Sequence, residues 1–209
     1  MLTNIVKNIA MTIVEVICNP RPGSFNLALS AQARDTLDGL GHTVILHDLY
    51  KEKFDPIMDA PELARSFSLD GQVQVYCREL AAADGVVIFH PDWWGQPPAL
   101  LKGWVDRVFR QGVAYDLDGD DYSPKSWKPL LTGKKGLVFC TSDTGDKEMP
   151  RTLETLWTEC ILGRCGMNAA CHVMRDLRRT DPGVRRAWLS FMVHTLEEWF
   201  AGPERAVAR

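Results

Sequence analysis

The sequence predicts an α/β fold in which one parallel sheet of five strands lies between two layers of helices. Short apolar runs rich in β-branched residues alternate with helical patterns along the whole chain. Strict alternation of strand and helix requires crossover connections, and these make the strands parallel and bury both faces of the sheet. The length of 209 residues and the 45% hydrophobic content fit one domain with a large core. We expect the strand order 2-1-3-4-5.

The first half of the chain predicts three strands and two helices. The strands cover residues 12–18, 43–49 and 85–90, and the helices cover 24–40 and 69–83. In the first helix, Leu27, Ala31 and Leu37 are spaced for one apolar face. The segment 50–68 contains two prolines and mixed charges, so we expect an irregular excursion there.

The second half predicts two strands, three helices and one long connection. The helices are 98–110, 150–162 and 181–200, and the strands are 136–141 and 168–174. Pro98 and Pro182 fall in first helical turns, where a missing N–H costs little. Residues 112–134 form a polar connection that contains Tyr115, Tyr122 and Trp127.

Composition limits the classes of function. We expect an N-terminal extension at 1–11, a single domain at 12–202 and a C-terminal tail at 203–209. A net charge of -3 makes nucleic acid and anionic membranes poor partners. No apolar stretch reaches the roughly 18 residues that a transmembrane helix needs. The beginning of the chain lacks a secretory signal, and the six cysteines form no CxxC or zinc spacing. We therefore expect no metal site, and a cytoplasmic protein with reduced thiols.

The loop after the first strand is a candidate phosphate site. It runs from Asn19 to Asn26 and contains small and polar residues immediately before a helix. Free backbone N–H groups and the partial positive charge of a helix N-terminus suit a phosphate, and Arg21, Ser24 and Asn26 add polar side chains. The alternative is that Ser24 only caps the helix. The stretch 19–24 has a single glycine, which argues against the G-x-G-x-x-G loop of a Rossmann dinucleotide domain.

The loop after the third strand is the most informative segment. It contains the pair Trp93-Trp94 and leaves the carboxyl end of a buried strand, where open α/β sheets bind ligands. Two adjacent tryptophans in a loop suit a flat ligand, whereas Trp104 on the following helix suits core packing. The five histidines are scattered, with His90 the best placed as a proton donor. No G-x-S-x-G or P-loop motif supports a hydrolase or an NTPase.

The pattern of residues 85–109, in which a strand is followed by Trp-Trp-Gly, Pro-Pro, Leu-Leu-Lys-Gly-Trp and a helix, closely resembles a known flavin-contacting loop. It is that of NAD(P)H:quinone oxidoreductases with a flavodoxin-like fold, of the DT-diaphorase and modulator-of-drug-activity types. Ser24-Phe25-Asn26 matches the same family, and the resemblance covers about residues 12–200. It implies a three-layer αβα sandwich.

The resemblance also implies the residues that contact the cofactor. The phosphate contacts are expected from Asn19, Arg21, Ser24, Phe25 and Asn26. The ring contacts are expected from Pro91, Asp92, Trp93, Trp94 and Gly95. The pyrimidine and ribityl contacts are expected from Thr141, Ser142, Asp143, Thr144 and Gly145. Arg186 is the expected contact to an adenine or a pyrophosphate.

Two residues are expected to take part in catalysis. Trp94 corresponds to the family tryptophan that lies along the flavin, and Tyr115 to a tyrosine that reaches into the partner subunit's active site. Gly95 stands where the family often has an aromatic residue, which suggests a more open substrate face. The tyrosine and histidine that assist hydride transfer in the mammalian-type enzymes have no counterpart, since Met149 stands about where that tyrosine would be.

The function implied is two-electron reduction of a quinone or similar acceptor by NAD(P)H, in a ping-pong scheme carried by the flavin. The cofactor implied is FAD, with FMN as the alternative, and the family typically forms homodimers with active sites at the interface. An electron-carrier flavodoxin would be smaller and more acidic. A regulatory flavoprotein, such as a partner subunit of a potassium-efflux system, and a descendant without cofactor remain alternatives.

Overall fold

The computed structural model describes residues 9–65, 67–119, 123, 125–146 and 148–201. The predicted extension at 1–11 is therefore described only from Ile9, which is exposed. The predicted tail at 203–209 and Tyr122 lie outside the described residues.

The strands and helices alternate as the sequence predicts. The strands are β1 (Thr12–Ile17), β2 (Thr43–Asp48), β3 (Gly85–Pro91), β4 (Tyr115–Leu117), β5 (Trp127–Pro129), β6 (Lys135–Thr141) and β7 (Asn168–Met174). The helices are α1 (Phe25–Gly39), α2 (Ala60–Leu63), α3 (Gly71–Ala82), α4 (Ala99–Val108), α5 (Met149–Thr155) and α6 (Pro182–Phe200). A π-helix (Leu156–Ile161) continues α5, and a 3₁₀ turn (Gly163–Cys165) follows it.

Five of these strands form one parallel sheet in the order β2-β1-β3-β6-β7. This confirms the predicted order, because β6 and β7 are the fourth and fifth strands of that sheet. The register of β3 on β6 runs from Gly85 opposite Lys135 to Pro91 opposite Thr141. The carboxyl ends of the central strands therefore finish level with one another.

The core has two layers, one on each face of the sheet. In β1, Ile13 and Ile17 pack in the layer of α1 and α6, whereas Val14 and Val16 pack in the layer of α3 and α4. This division follows from the period of two along a strand, which sends successive side chains to opposite faces. Burial on both faces explains why the strands are almost continuously apolar.

Three features were not predicted: a hairpin of short strands, a short helix held by ion pairs to distant residues, and a change of helix type. The connection 112–134 contains an antiparallel hairpin of β4 and β5, whose strands of three residues are too short for a periodicity signal. The excursion 50–68 contains α2, which is held against α4 by ion pairs from Arg107 and Arg110 to Glu62. The predicted helix 150–162 changes from α to π geometry at Leu156.

Candidate functional site

The cavity of interest opens at the carboxyl ends of β1, β3 and β6. It has a volume of about 760 Å³. Its lining comes from four loops: Asn19, Pro20, Arg21, Gly23, Ser24, Phe25, Asn26, Pro91, Asp92, Trp93, Thr141, Asp143, Leu177, Arg178 and Arg185. The structure thus brings together predicted residues from all three loops that the sequence singled out, and it adds a fourth loop, after β7.

The first loop presents unpaired backbone donors at the N-terminus of α1. Ser24 caps the helix, with its hydroxyl oxygen accepting from the Leu27 amide at 3.3 Å. Among the described residues, no acceptor faces the amides of Gly23, Phe25 and Asn26. Gly23 has a φ of +69°, a left-handed conformation that glycine adopts without strain. The loop therefore combines free N–H groups with the positive end of a helix, which is the chemistry of an anion site.

The side chain of Asn26 points into the protein and joins the loops. Its Oδ1 accepts hydrogen bonds from Asn19 Nδ2 at 2.8 Å and from Thr141 Oγ1 at 3.0 Å. Its Nδ2 donates to the His90 carbonyl at 3.0 Å. The side-chain phosphate contact expected of Asn26 is thus replaced by an organising role, because all these groups are already engaged. Its backbone amide remains available to a ligand.

Asp92 fixes the second loop. Its amide donates to the Thr141 carbonyl at 2.7 Å, and its Oδ2 accepts from Ser142 Oγ at 2.7 Å. Its Oδ1 accepts from the Gly95 amide at 2.7 Å. Asp92, expected to contact a flavin ring, lines the cavity. Its amide and Oδ2 tie the second loop to the third, and its Oδ1 holds the turn within the second loop.

The tryptophan pair divides at a tight turn. Trp93 and Gln96 exchange backbone hydrogen bonds, while Trp94 and Gly95 between them have φ of +62° and +72°. Two central residues with positive φ are typical of a type I′ turn. This turn leaves the Trp94 side chain 99% exposed and outside the cavity lining, whereas Trp93 is 43% exposed and lines it. Trp93 therefore lines the cavity, and Trp94, expected to lie along a flavin, does not.

The third loop combines buried hydroxyls with open amides. Thr141 and Ser142 are buried, and the Thr144 amide donates to Ser142 Oγ at 3.2 Å. The amides of Asp143 and Gly145 have no acceptor among the described residues. They are therefore available to a ligand with acceptor groups. Gly145 lies beside a second cavity of about 400 Å³, apart from the lining of the first.

Two arginines complete the cavity, Arg178 from the loop after β7 and Arg185 from the first turn of α6. Arg185 donates to the Leu177 carbonyl at 2.9 Å and to Thr180 Oγ1 at 3.3 Å, and Arg178 pairs with Asp143 at 2.7 Å. Arg186, predicted as the distal contact, is exposed and does not line the cavity. The neighbouring Arg185 lines it instead, because the two residues lie on different faces of α6. The arginine-rich sequence 175–186, directly after a strand, was the signal that could have found this loop.

His90 is buried and both of its ring nitrogens are engaged. Nδ1 lies 2.8 Å from the Pro91 carbonyl, and Nε2 accepts from the Trp157 indole at 3.0 Å. Burial lowers the pKa of His90 to about 4, although the Pro91 carbonyl and Asp92 act in the opposite direction. A neutral, enclosed imidazole cannot exchange a proton with a ligand in the cavity. The histidine best placed by sequence is thus excluded as a proton donor by this geometry.

Tyr115 lies on β4, away from the cavity lining. It is half-buried, and its ring stacks on Trp127 with centroids 4.0 Å apart and planes at 13°. The Trp127 indole in turn donates to the Arg164 carbonyl at 2.9 Å. The structure therefore does not bring Tyr115 to the cavity of its own chain.

In the described part of the chain, no helix combines the length and the apolar character needed to cross a membrane. No group of three or more His, Cys, Asp or Glu side chains is arranged to hold a metal ion in the same residues. All six cysteines are free thiols.

Comparison with known proteins adds independent findings. A family model described as "Flavodoxin-like fold" matches residues 11–186. The chain is 31% identical over 153 residues to human ribosyldihydronicotinamide dehydrogenase [quinone], covering 64% of each chain. It is 32% identical over 154 residues to a ribosyldihydronicotinamide dehydrogenase-like protein of Penicillium crustosum, covering 63% of this chain and 57% of that one. The alignments thus span less than two thirds of either relative.

Two other similarities cover more of the chain. An NAD(P)H oxidoreductase of Haemophilus influenzae is 26% identical over 174 residues, which cover 79% of this chain and 84% of that one. The crystal structure of Smu.1420 from Streptococcus mutans superimposes with a TM-score of 0.78 and 26% identity, covering 90% of this chain and 100% of that one.

Proposed function

Because the chain belongs to the family of proteins with a flavodoxin-like fold, we propose that it is a flavin-dependent NAD(P)H oxidoreductase that reduces a quinone or a similar small acceptor. One observation carries this proposal. In the described part of the chain, the amides of Gly23, Phe25 and Asn26 have no acceptor at the N-terminus of α1, in a cavity whose other walls include Trp93 and Asp143. The names of the human and Haemophilus influenzae relatives support the same chemistry.

The residues present fit a flavin along its length. A phosphate would accept from the α1 amides beside Arg21, where the helix dipole favours negative charge. A flat ring would lie against Trp93. When bound, the flavin supplies reversible two-electron chemistry that no side chain of the protein can perform.

The protein's own part is to bind, orient and polarise. The amide of Asp143, which lines the cavity and has no acceptor among the described residues, is suited to an acceptor group on one edge of the ring, and it would stabilise negative charge that develops there. Asp92 and Asn26 hold the loops in place before any ligand arrives, so little reorganisation is needed. Because one cavity would serve both substrates in turn, a ping-pong scheme follows.

We favour FAD over FMN on the charge of the cavity. A single phosphate is served by the α1 amides and Arg21, yet Arg178 and Arg185 line the same space. Arg178 pairs only with Asp143 at an exposed position, an ion pair worth about 0–1 kcal/mol that a phosphate can displace. The cavity thus has two guanidinium groups, of Arg178 and Arg185, beyond what one phosphate requires. We take this surplus of positive charge to favour a diphosphate.

We also propose a homodimer in the reducing cytoplasm. Large apolar side chains are exposed on segment 57–69 and at the tryptophan turn: Ile57, Leu63, Phe67, Leu69, Trp93 and Trp94. Exposed apolar area of this kind is typical of an interface. A second copy would cover it and could bring its Tyr115 to the cavity, as the family resemblance implies.

The first experiment is the visible spectrum of the purified protein before and after anaerobic NADH or NADPH, with mass identification of the released cofactor. We expect a yellow protein that a nicotinamide bleaches and a quinone re-oxidises. A yellow protein that neither nucleotide reduces would instead indicate the regulatory flavoprotein. A colourless protein that takes up neither FAD nor FMN would refute the proposal.

A further inference from the structure

The geometry points to His90 as a positioning residue whose imidazole connects the π-helix to the loop that borders the cavity. We call the chain of contacts from Trp157 through His90 to the Pro91 carbonyl the imidazole bridge. The inference rests on the proposed function, since what the bridge positions is the loop expected to contact a flavin ring. His90 itself does not line the cavity.

The two neighbours of the ring fix its tautomer. An indole N–H can only donate, so Nε2, 3.0 Å from Trp157 Nε1, must be the acceptor. A carbonyl can only accept, so Nδ1, 2.8 Å from the Pro91 oxygen, must carry the hydrogen. The His90 ring thus joins the indole N–H of Trp157 to the carbonyl of Pro91, because it has one acceptor nitrogen and one donor nitrogen. Among side chains, a neutral histidine offers this combination on a rigid ring.

The bridge completes the fixing of three successive residues. The His90 carbonyl is held by Asn26 from α1, and the Asp92 amide is held by the Thr141 carbonyl from β6. Between them, the Pro91 carbonyl is held by the imidazole. Each of these groups therefore depends on a different element, and together they determine where the turn at Trp93–Gln96 begins.

The bridge also holds the orientation of a residue that lines the cavity. Pro91 is part of the lining, and its carbonyl lies 2.8 Å from His90 Nδ1. Without the imidazole, this peptide group would lose its hydrogen-bond partner on the side of the protein and could turn. The bridge therefore keeps the segment that precedes Trp93 in one orientation toward the cavity.

The π-helix accounts for the reach of Trp157. Its side chain is fully buried against the sheet, with the His90 and Trp157 rings 5.5 Å apart. π-helical turns are rare and frequently occur at functional sites. Here, the π-helical turn places the Trp157 side chain against His90, and the hydrogen bonds continue from His90 to Pro91 at the cavity.

Two variants of His90 separate the halves of the bridge. In His90→Asn the amide nitrogen takes the place of Nδ1, so the bond to Pro91 is kept and the contact with Trp157 is lost. In His90→Gln the amide oxygen takes the place of Nε2, so the Trp157 contact is kept and the bond to Pro91 is lost. Trp157→Phe removes the indole donor and leaves the bond to Pro91, and the cavity left by the smaller ring is accounted for by its melting temperature.

The readouts are Kd for FMN and FAD by fluorescence quenching, KM and kcat with NADH, and the melting temperature. We expect His90→Asn to bind flavin within about threefold of the wild type. His90→Gln should bind at least about tenfold more weakly, with kcat lowered more than KM is raised. Equal losses in both variants, in proportion to their melting temperatures, would mean that His90 only fills the core. Unchanged binding in both would equally overturn the inference.

A measurement on the wild type covers the case in which the variants do not fold. ¹⁵N NMR of labelled histidine at pH 7 should show one ring with hydrogen on Nδ1 and none on Nε2, and the opposite tautomer or a mixture would overturn the bridge. If the wild type binds no flavin, the proposed function fails separately. The bridge is then decided by this spectrum and by amide exchange at Asp92–Gly95 in the two His90 variants.

Discussion

At the scale of single residues, Trp94 combines two unfavourable features. It has a φ of +62°, and its side chain is 99% exposed. A non-glycine residue in the left-handed region costs on the order of 1–3 kcal/mol, and such strain persists mainly at functional sites. Neither the conformation nor the exposure contributes to the core. The exposed indole is therefore free to contact a bound ligand or a second copy of the chain.

This gives a paired prediction. Trp94→Gly and Trp94→Ala both remove the indole, but only glycine removes the backbone strain. We expect Trp94→Gly to unfold at a higher urea midpoint than Trp94→Ala, with a difference of about 1 kcal/mol. Both variants should lose activity to a similar extent, as a raised KM for the acceptor. A glycine variant no more stable than the alanine variant would show that the turn is not strained.

Glu15 is the second residue with a measurable consequence. It lies fully buried in β1, where Oε1 accepts from Ser30 and pairs with Arg34 at 3.0 Å. Oε2 has no partner in the described residues. Burial raises the pKa of Glu15 to about 7, although Ser30 and Arg34 oppose the shift. Because the native pKa lies above that of the unfolded chain, the native state binds the proton more tightly. The resulting stability is fully present below about pH 4.5 and is lost as the pH rises through about 7.

We therefore predict that Glu15 makes stability fall between about pH 4.5 and 7 and level off above that range, and that Glu15→Gln removes this fall. One proton changes the free energy of unfolding by at most about 1.4 kcal/mol per pH unit. The lowered pKa of His90 acts in the opposite direction between about pH 4 and 6.5, so the difference between the wild type and Glu15→Gln at each pH isolates Glu15. Urea denaturation at four pH values measures the effect. The exposed Glu197→Gln is the control and should keep the wild-type slope.

At the scale of elements, the sequence predicted the strands and helices that are long enough to show a pattern of apolar residues. The five sheet strands were placed within one residue at each end, because apolar runs buried on both faces leave a clear pattern. The hairpin of β4 and β5 was missed since strands of three residues carry no period. The π-helix was missed because the spacing of apolar residues does not distinguish one π turn from an α-helix. A Cβ on Gly163 would lie 1.9 Å from the Thr158 carbonyl oxygen.

Gly163 accordingly provides a test of the π-helix. Gly163→Ala should destabilise the protein by at least about 1–3 kcal/mol, because the new methyl group would overlap a backbone oxygen. The same variant should change the environment of Trp157, visible in near-ultraviolet circular dichroism. Gly39→Ala, at the end of α1 with no atom within 4 Å of its Cβ, is the control and should leave stability unchanged or slightly higher. Similar losses in both variants would contradict this account of Gly163.

At the scale of the whole molecule, the sequence located the cavity but not all of its side chains. The loops after the first, third and fourth sheet strands could be predicted, because parallel strands present their carboxyl ends at one edge. The inward direction of Asn26, the exposure of Trp94 and the replacement of Arg186 by Arg185 could not. Each is a matter of the direction in which one side chain points, and that direction is determined by the neighbours packed around it.

Tyr115 lies stacked on Trp127 and away from the cavity of its own chain, so it could act only in the cavity of a second copy. If the proposed homodimer brings it to the partner's cavity, each active site takes its cavity from one chain and Tyr115 from the other. Tyr115→Ala should then lower activity with little loss of flavin binding. Asp92→Ala should weaken flavin binding instead, because Asp92 holds the second and third loops together.

Hybrid dimers of these two variants distinguish the arrangements. In a Tyr115→Ala and Asp92→Ala hybrid, one of the two sites would combine an intact cavity with the other chain's Tyr115. We expect co-expressed, differently tagged chains to recover about half of the wild-type activity per dimer, since independent sites contribute additively. Each homodimeric variant, purified in the same way, is the control. Recovery no greater than the mean of the two controls would mean that Tyr115 does not act across subunits, and a monomer in light scattering would remove the dimer itself.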